Sequence, residues 1–165
     1  MKNSIFTFIF FTISNLTFGQ DFNPIEPNTI KLKEQISSGK NTEVIYNYLI
    51  NNYKITSKKT ELEYYKWEKS KLCAFTQEFK NGIKYSVFEC KEAGGITVEL
   101  ELPKIMRKKL MKWVEKIYEV DRTEFDQNVW KENNSKFEPK EINPGCYYKI
   151  KEKEKTTMIE LYCGC

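Results

Sequence analysis

The chain has 165 residues, 30% of them charged, a formal charge of +4 and no histidine. The missing imidazole excludes Ser-His-Asp and Cys-His catalysis, His-ligated zinc and histidine pH switching. Lys and Glu are interspersed almost throughout, so the mild basic excess suits a solvated surface rather than a nucleic-acid or membrane-binding field.

The N-terminus reads as an export signal. Lys2 supplies a positive start, Ile5 to Phe18 form an apolar stretch broken only by Thr, Ser and Asn, and Thr17-Phe18-Gly19 offers a small-x-small cleavage site. Residues 1–19 are therefore predicted to be a signal peptide, and the stretch falls short of the ~20 apolar residues of a good membrane span. An uncleaved anchor helix is the alternative. No cysteine follows the apolar stretch, so no lipid anchor on an N-terminal cysteine is expected. The mature part, 20–165, keeps a charge of +3 once Lys2 is gone. It is long enough for one domain with its own core, burying roughly 68–70% of its unfolded surface. A protein exported to the periplasm or beyond, with no stable membrane insertion, is the expectation.

Pro24 and Pro27 mark an extended lead-in, and residues 29–36 a short helix stopped by Ser37-Ser38-Gly39. A second helix runs to about Tyr53. Its apolar positions Val44/Ile45, Tyr48/Leu49 and Tyr53 recur every four residues, and Asn41 or Thr42 is the expected cap. Thr60 to Trp67 carries a capping-box pattern, Thr60-x-x-Glu63, but its aromatic content favours a strand.

Leu72–Lys80 and Ile83–Lys91 flank Asn81-Gly82, the strongest short hairpin signal, because a type I′ turn needs positive φ at both central residues. A two-residue loop there pairs Lys80 with Ile83 and sets Cys73 directly opposite Cys90. That site is of the non-hydrogen-bonded type, where Cα atoms approach to about 4.5 Å and a disulfide fits. The same register pairs Phe75 with Phe88 on an inward face and turns Tyr85 outward. After Gly94-Gly95, Ile96, Val98, Leu100 and Leu102 alternate with Thr97, Glu99 and Glu101 as a half-buried strand. Pro103 ends it and opens a helix to about Tyr118, with Ile105/Met106, Leu110, Trp113/Val114 and Ile117 as its apolar stripe.

Residues 121–145 are polar and weakly patterned, a predicted loop with one short strand near Trp130. A final hairpin turns on Glu154-Lys155. It puts Tyr148, Ile150, Ile159 and Leu161 on one face and again sets Cys146 opposite Cys163. The predicted fold is α+β: an antiparallel sheet of five to seven strands against two main helices.

Sixteen residues separate the cysteines in each hairpin, and a tyrosine and a tryptophan precede both: Tyr53 and Trp67, then Tyr118 and Trp130. A tandem helix-plus-meander duplication is one reading, with repeat halves 40–102 and 103–165; coincidence is the other. Tandem units each holding a disulfide resemble the layout of secreted β-lactamase inhibitor proteins. That resemblance is one of architecture alone and matches no motif.

Four cysteines form two predicted staples, Cys73–Cys90 and Cys146–Cys163, each worth about 3 kcal/mol in the chain-entropy model. Cys165 is left over. Cys163-Gly164-Cys165 is a Cys-x-Cys that reads as a spare terminal thiol, an interchain link, or at furthest a redox or soft-metal pair. Lys104, Arg107, Lys108 and Lys112, with Lys109 and Lys116, make the helix after Pro103 basic, and an anionic partner is one use for it. Tyr85, Tyr147 and Tyr162 are expected on outer sheet faces, where tyrosines serve recognition. The carboxylate pairs Glu61/Glu63 and Glu99/Glu101 read as solvated. No catalytic residue, metal site or cofactor motif emerges, so the expected function is a non-catalytic binding or inhibitory module for a protein or anionic envelope component. A structural envelope factor and a Cys-Gly-Cys oxidoreductase are the alternatives.

Overall fold

A computed structural model describes residues 21–38, 43–90, 95–118 and 145–164. The predicted signal peptide, the loop around Trp130, the caps proposed at Asn41 and Thr42, and Cys165 lie outside the described residues.

In chain order the elements are α1 (Thr29–Ser37), α2 (Val44–Asn52), β1 (Thr60–Tyr64), β2 (Leu72–Phe79), β3 (Ile83–Phe88), β4 (Ile96–Pro103), α3 (Arg107–Tyr118), β5 (Gly145–Glu152) and β6 (Thr156–Gly164). The strands make one antiparallel sheet in the order β1-β2-β3-β4-β6-β5. This is the α+β class, with six strands. The alternation on β4 does what it foretold: Val98, Leu100 and Leu102 are buried, and they pair with Leu161, Ile159 and Thr157 of β6. Ile45, Tyr48 and Leu49 of α2 and Leu110, Val114 and Ile117 of α3 close over that face. Each such side chain contributes roughly 1.5–3 kcal/mol of transfer free energy. β1 is an exposed edge strand, interrupted by two register shifts that make it a poor template for further pairing.

The cap of α2, expected at Asn41 or Thr42, is supplied by another residue. Asn28 caps α1 by accepting the Lys31 N–H at 3.1 Å. The cap of α2 is Glu43, whose side chain folds back onto the Ile45 and Tyr46 N–H groups. Helix α3 begins at Arg107, four residues later than predicted. Pro103 still belongs to β4, and the Lys104 N–H bonds the Lys155 carbonyl. Lys104 is thus not a helix residue.

The largest correction concerns the β2–β3 hairpin. Asn81 and Gly82 both take positive φ, 70° and 71°, as the turn signal requires. Yet Phe79, not Lys80, pairs with Ile83. The Lys80 N–H is drawn sideways to the Lys54 carbonyl at 2.8 Å, where residues 54–56 run along the outer edge of β2. Lys80 therefore drops out of the β2–β3 ladder and the register moves by one. A one-residue slip turns every side chain of one strand to the other face. Phe75 pairs with Val87, Phe88 moves to the outer side beside Ala74 and Thr97, and Tyr85 turns inward opposite Gln77. Tyr85 is 1% exposed, so its expected place on an outer recognition face is wrong.

The Cys73–Cys90 disulfide forms nonetheless, with Cα atoms 5.0 Å apart. It does not join direct partners: the Cys73 carbonyl accepts the Glu89 N–H, and Cys90 lies just past the end of β3. In the second hairpin the expected register holds. The Lys153 N–H bonds the Thr156 carbonyl around Glu154-Lys155, Ile150 pairs with Ile159, and Cys146 stands opposite Cys163, which is disulfide-bonded. Among the described residues no helix is long and apolar enough to cross a membrane.

Candidate functional site

The register change builds a cleft. With Tyr85 turned inward, its hydroxyl reaches the Glu43 carboxylate at 3.1 Å, and Tyr118 at the end of α3 reaches the same carboxylate at 3.0 Å. The Ile45 and Tyr46 N–H groups bind it at 2.9 and 3.0 Å. Two donors thus face each carboxylate oxygen, and Glu43 ties together α2, β3 and α3. Burial pushes its pKa above the ordinary carboxylate value, against the four donors that pull it down. Burial and the adjacent Glu43 hold the Tyr85 phenol well above its usual range.

Above this joint opens a cleft of about 700 Å³ at the disulfide end of the sheet, reaching Cys73, Ile96 and Cys163. That volume falls within the range typical of small-molecule sites. One wall is aromatic. The Tyr46 ring meets Phe75 edge-on at 5.4 Å and Tyr85 at 5.1 Å, and its hydroxyl donates to Gln77 Oε1 at 2.7 Å. Buried Gln77 is fixed in turn by donating Nε2 to the Ser57 carbonyl at 3.1 Å. The remaining walls mix the aliphatic Ile36, Val44 and Val87 with Tyr65, whose hydroxyl donates to Glu89 at 3.3 Å.

Two ammonium groups stand at the mouth. Lys59 Nζ lies 4.1 Å from the Phe75 ring centre and 4.7 Å from that of Tyr46, and Lys71 Nζ lies 5.3 Å from the Tyr65 ring. Neither pairs with a carboxylate among the described residues. Partial burial lowers the Lys59 pKa, since a desolvated ammonium without a counter-charge is the costlier form.

The residues singled out from sequence mostly lie elsewhere. Lys104 is held by Glu152 at 3.4 Å and by the Lys153 carbonyl at 3.0 Å. Lys116 pairs with Glu26 at 2.5 Å, holding that carboxyl below its usual value. Arg107 is half-buried at the start of α3, while Lys108 and Lys112 are exposed along it. The expected basic face is thereby reduced to a short stripe, and none of it lines the cleft. Tyr162 is half-buried and packs against two glycines: a Cβ on Gly95, at φ +114°, would lie 2.8 Å from its hydroxyl oxygen. Tyr147 pairs with Tyr162 in register. Among the described residues, three of those singled out touch the site: Cys73 and Cys163, expected as disulfide cysteines, and Tyr85, which the inward register turns from a recognition candidate into a structural residue.

Glu43, Lys59, Lys71, Tyr65 and Phe75 were not legible as a group. Glu43 had one signal, its place immediately before the apolar period of α2, where short Asn and Thr are the commoner caps. No protein-family model matches the chain, no curated protein is detectably similar to it, and no solved structure matches its fold.

Proposed function

We propose that this protein is an exported, non-catalytic binding module whose ligand enters the cleft between α2 and the disulfide end of the sheet. The observation that carries this reading is the cleft itself, about 700 Å³, with an aromatic wall, two ammonium groups that have no carboxylate partner among the described residues, and the capping carboxylate of Glu43, whose oxygens are spent on four donors. A carboxylate so engaged has no lone pair aimed at a substrate, which supports binding over acid–base chemistry. Export is supported by the buried Cys73–Cys90 bridge, which persists in an oxidising compartment, and by the charge and apolar pattern of residues 1–19. The stripe of Lys108 and Lys112 is the weaker candidate for partner contact, because its neighbours Lys104 and Lys116 are already paired.

The test is thermal unfolding of the mature disulfide-bonded protein against a panel of small anionic, neutral and cationic compounds, beside a plugged variant, Leu72→Trp. At least one compound is expected to raise the midpoint of the native protein and not that of the plugged one. A panel that shifts both equally, or neither, contradicts the cleft as the binding site. Separately, a reporter fused after residue 19 is expected outside the cytosol; its retention inside would contradict export.

A further inference from the structure

We infer that the cleft takes an amphipathic anion, its apolar or aromatic body against the Tyr46–Phe75 wall and its acidic head at the ammonium groups of Lys59 and Lys71. This deepens the binding reading above and rests on it.

The sign of the ligand follows from which charges are already satisfied. The carboxylate of Glu43 accepts from two backbone N–H groups and two tyrosine hydroxyls, so it offers nothing to an incoming cation. Glu89, the other carboxylate of the lining, is exposed to solvent, with one oxygen accepting the Tyr65 hydroxyl at 3.3 Å. The two lysines, by contrast, rest on ring faces, at 4.1 Å for Lys59 over Phe75 and 5.3 Å for Lys71 over Tyr65. A cation–π contact at a partly exposed site is weaker than a charge-assisted hydrogen bond to a carboxylate, sulfonate or phosphate oxygen. An acidic group arriving at the mouth thus gives each ammonium a better partner than it has.

The body of the ligand follows from the walls. Tyr46, Phe75 and Val87 present ring and methyl surface, and Tyr46 is held from behind by Gln77. Rings so anchored are a prebuilt face for an apolar group, with little ordering left to oppose binding. The lowered pKa of Lys59 agrees with this picture, since an ammonium partly stripped of water gains most from a counter-ion.

A matched dye pair tests the inference: anilinonaphthalene sulfonate, and N-phenylnaphthylamine, which has the same rings without the acid. Both are titrated by fluorescence into the mature oxidised protein and into Lys59→Gln, Lys71→Gln, Lys59→Arg and Leu72→Trp, with near-ultraviolet circular dichroism confirming native packing. The sulfonate is expected to bind one site. Lys59→Gln is expected to weaken it roughly tenfold, the equivalent of about 1.4 kcal/mol. Lys71→Gln should weaken it less, Lys59→Arg should retain it, and the neutral dye should be unmoved by all three. Added salt should weaken the sulfonate alone. Equal binding of both dyes, with no effect of either Gln variant, overturns the anion assignment; if Leu72→Trp still abolishes that binding, the cleft survives as a site. Failure of Leu72→Trp to affect either dye overturns the cleft reading as well.

Discussion

Two hairpins with the same cysteine spacing solve their register differently. In β5–β6 the contacts from outside leave the ladder intact: Lys104 takes the carbonyls of Lys153 and Lys155, the Lys153 N–H still closes on Thr156 around Glu154-Lys155, and Cys146 lies opposite Cys163. In β2–β3 a third segment intervenes. Lys54 takes the Lys80 N–H, the loop grows to residues 80–82, and Cys73 faces position 89. In the first hairpin the local turn chemistry is nonetheless satisfied, since Asn81 and Gly82 keep positive φ. What differs is which group the outside contact takes: in β2–β3 it takes the N–H that would close the ladder at Lys80, and with that N–H gone the other face of β3 is buried. The lesson is that a turn sets register only while the N–H groups flanking it have no better acceptor.

The sharpest way to break this comparison is Tyr85→Ala. An inward Tyr85 at 1% exposure, bonded to Glu43, implies a loss of about 3–5 kcal/mol in urea unfolding. The direct register would place it outside, where the change is worth within about 0.5 kcal/mol. Half-buried Tyr162→Ala is the control, with an expected cost of about 1 kcal/mol.

Deletions separate the hairpins next. Removing Lys153, which closes the turn on Thr156 just past the end of β5, shifts that strand against β6. Buried Ile150 then turns to solvent, at a cost of roughly 3 kcal/mol, and cross-strand nuclear Overhauser contacts should find position 146 no longer opposite Cys163. Removing Lys80 takes out only the residue the ladder already omits. Phe79 and Ile83 would then flank Asn81-Gly82 directly, so the Cys73–Cys90 bond should persist and stability fall by about 1 kcal/mol for the lost Lys54 contact.

Glu43→Gln probes the joint that the inward register creates. An amide nitrogen would face the Tyr46 N–H or a tyrosine hydroxyl, costing about 1–2 kcal/mol. The pH dependence has a definite sign. Because the folded pKa of Glu43 is raised, its contribution to stability is full below the ordinary carboxylate value and is lost as pH rises through the folded value. Unfolding midpoints of the native chain should show that loss across mildly acidic pH, and Glu43→Gln should flatten it. Glu26, held low by Lys116, acts in the opposite sense, its contribution fading as pH falls.

Much of the fold was legible because it is written in short-range pattern: the alternation from Ile96 to Leu102, the apolar stripe of α3 from Leu110 to Ile117, and the second hairpin's register. The candidate site was not. It depends on Tyr85 facing inward, which depends on the Lys54 carbonyl, twenty-six residues before Lys80. No periodicity within β2 or β3 records that contact. Glu43 was passed over because its capping role needs a long side chain curled back onto its own helix, and its other partners come from β3 and α3. Lys59 and Lys71 looked like two more lysines in a lysine-rich chain; only their seats over Phe75 and Tyr65 set them apart.

The most direct measurement is the set of cross-strand nuclear Overhauser contacts made by the β2 backbone in the native oxidised protein. The register described here requires Phe75 beside Val87 and Gln77 beside Tyr85. Contacts joining Phe75 to Phe88 and Cys73 to Cys90 as direct backbone partners would return Tyr85 to the outer face and leave the cleft without its floor.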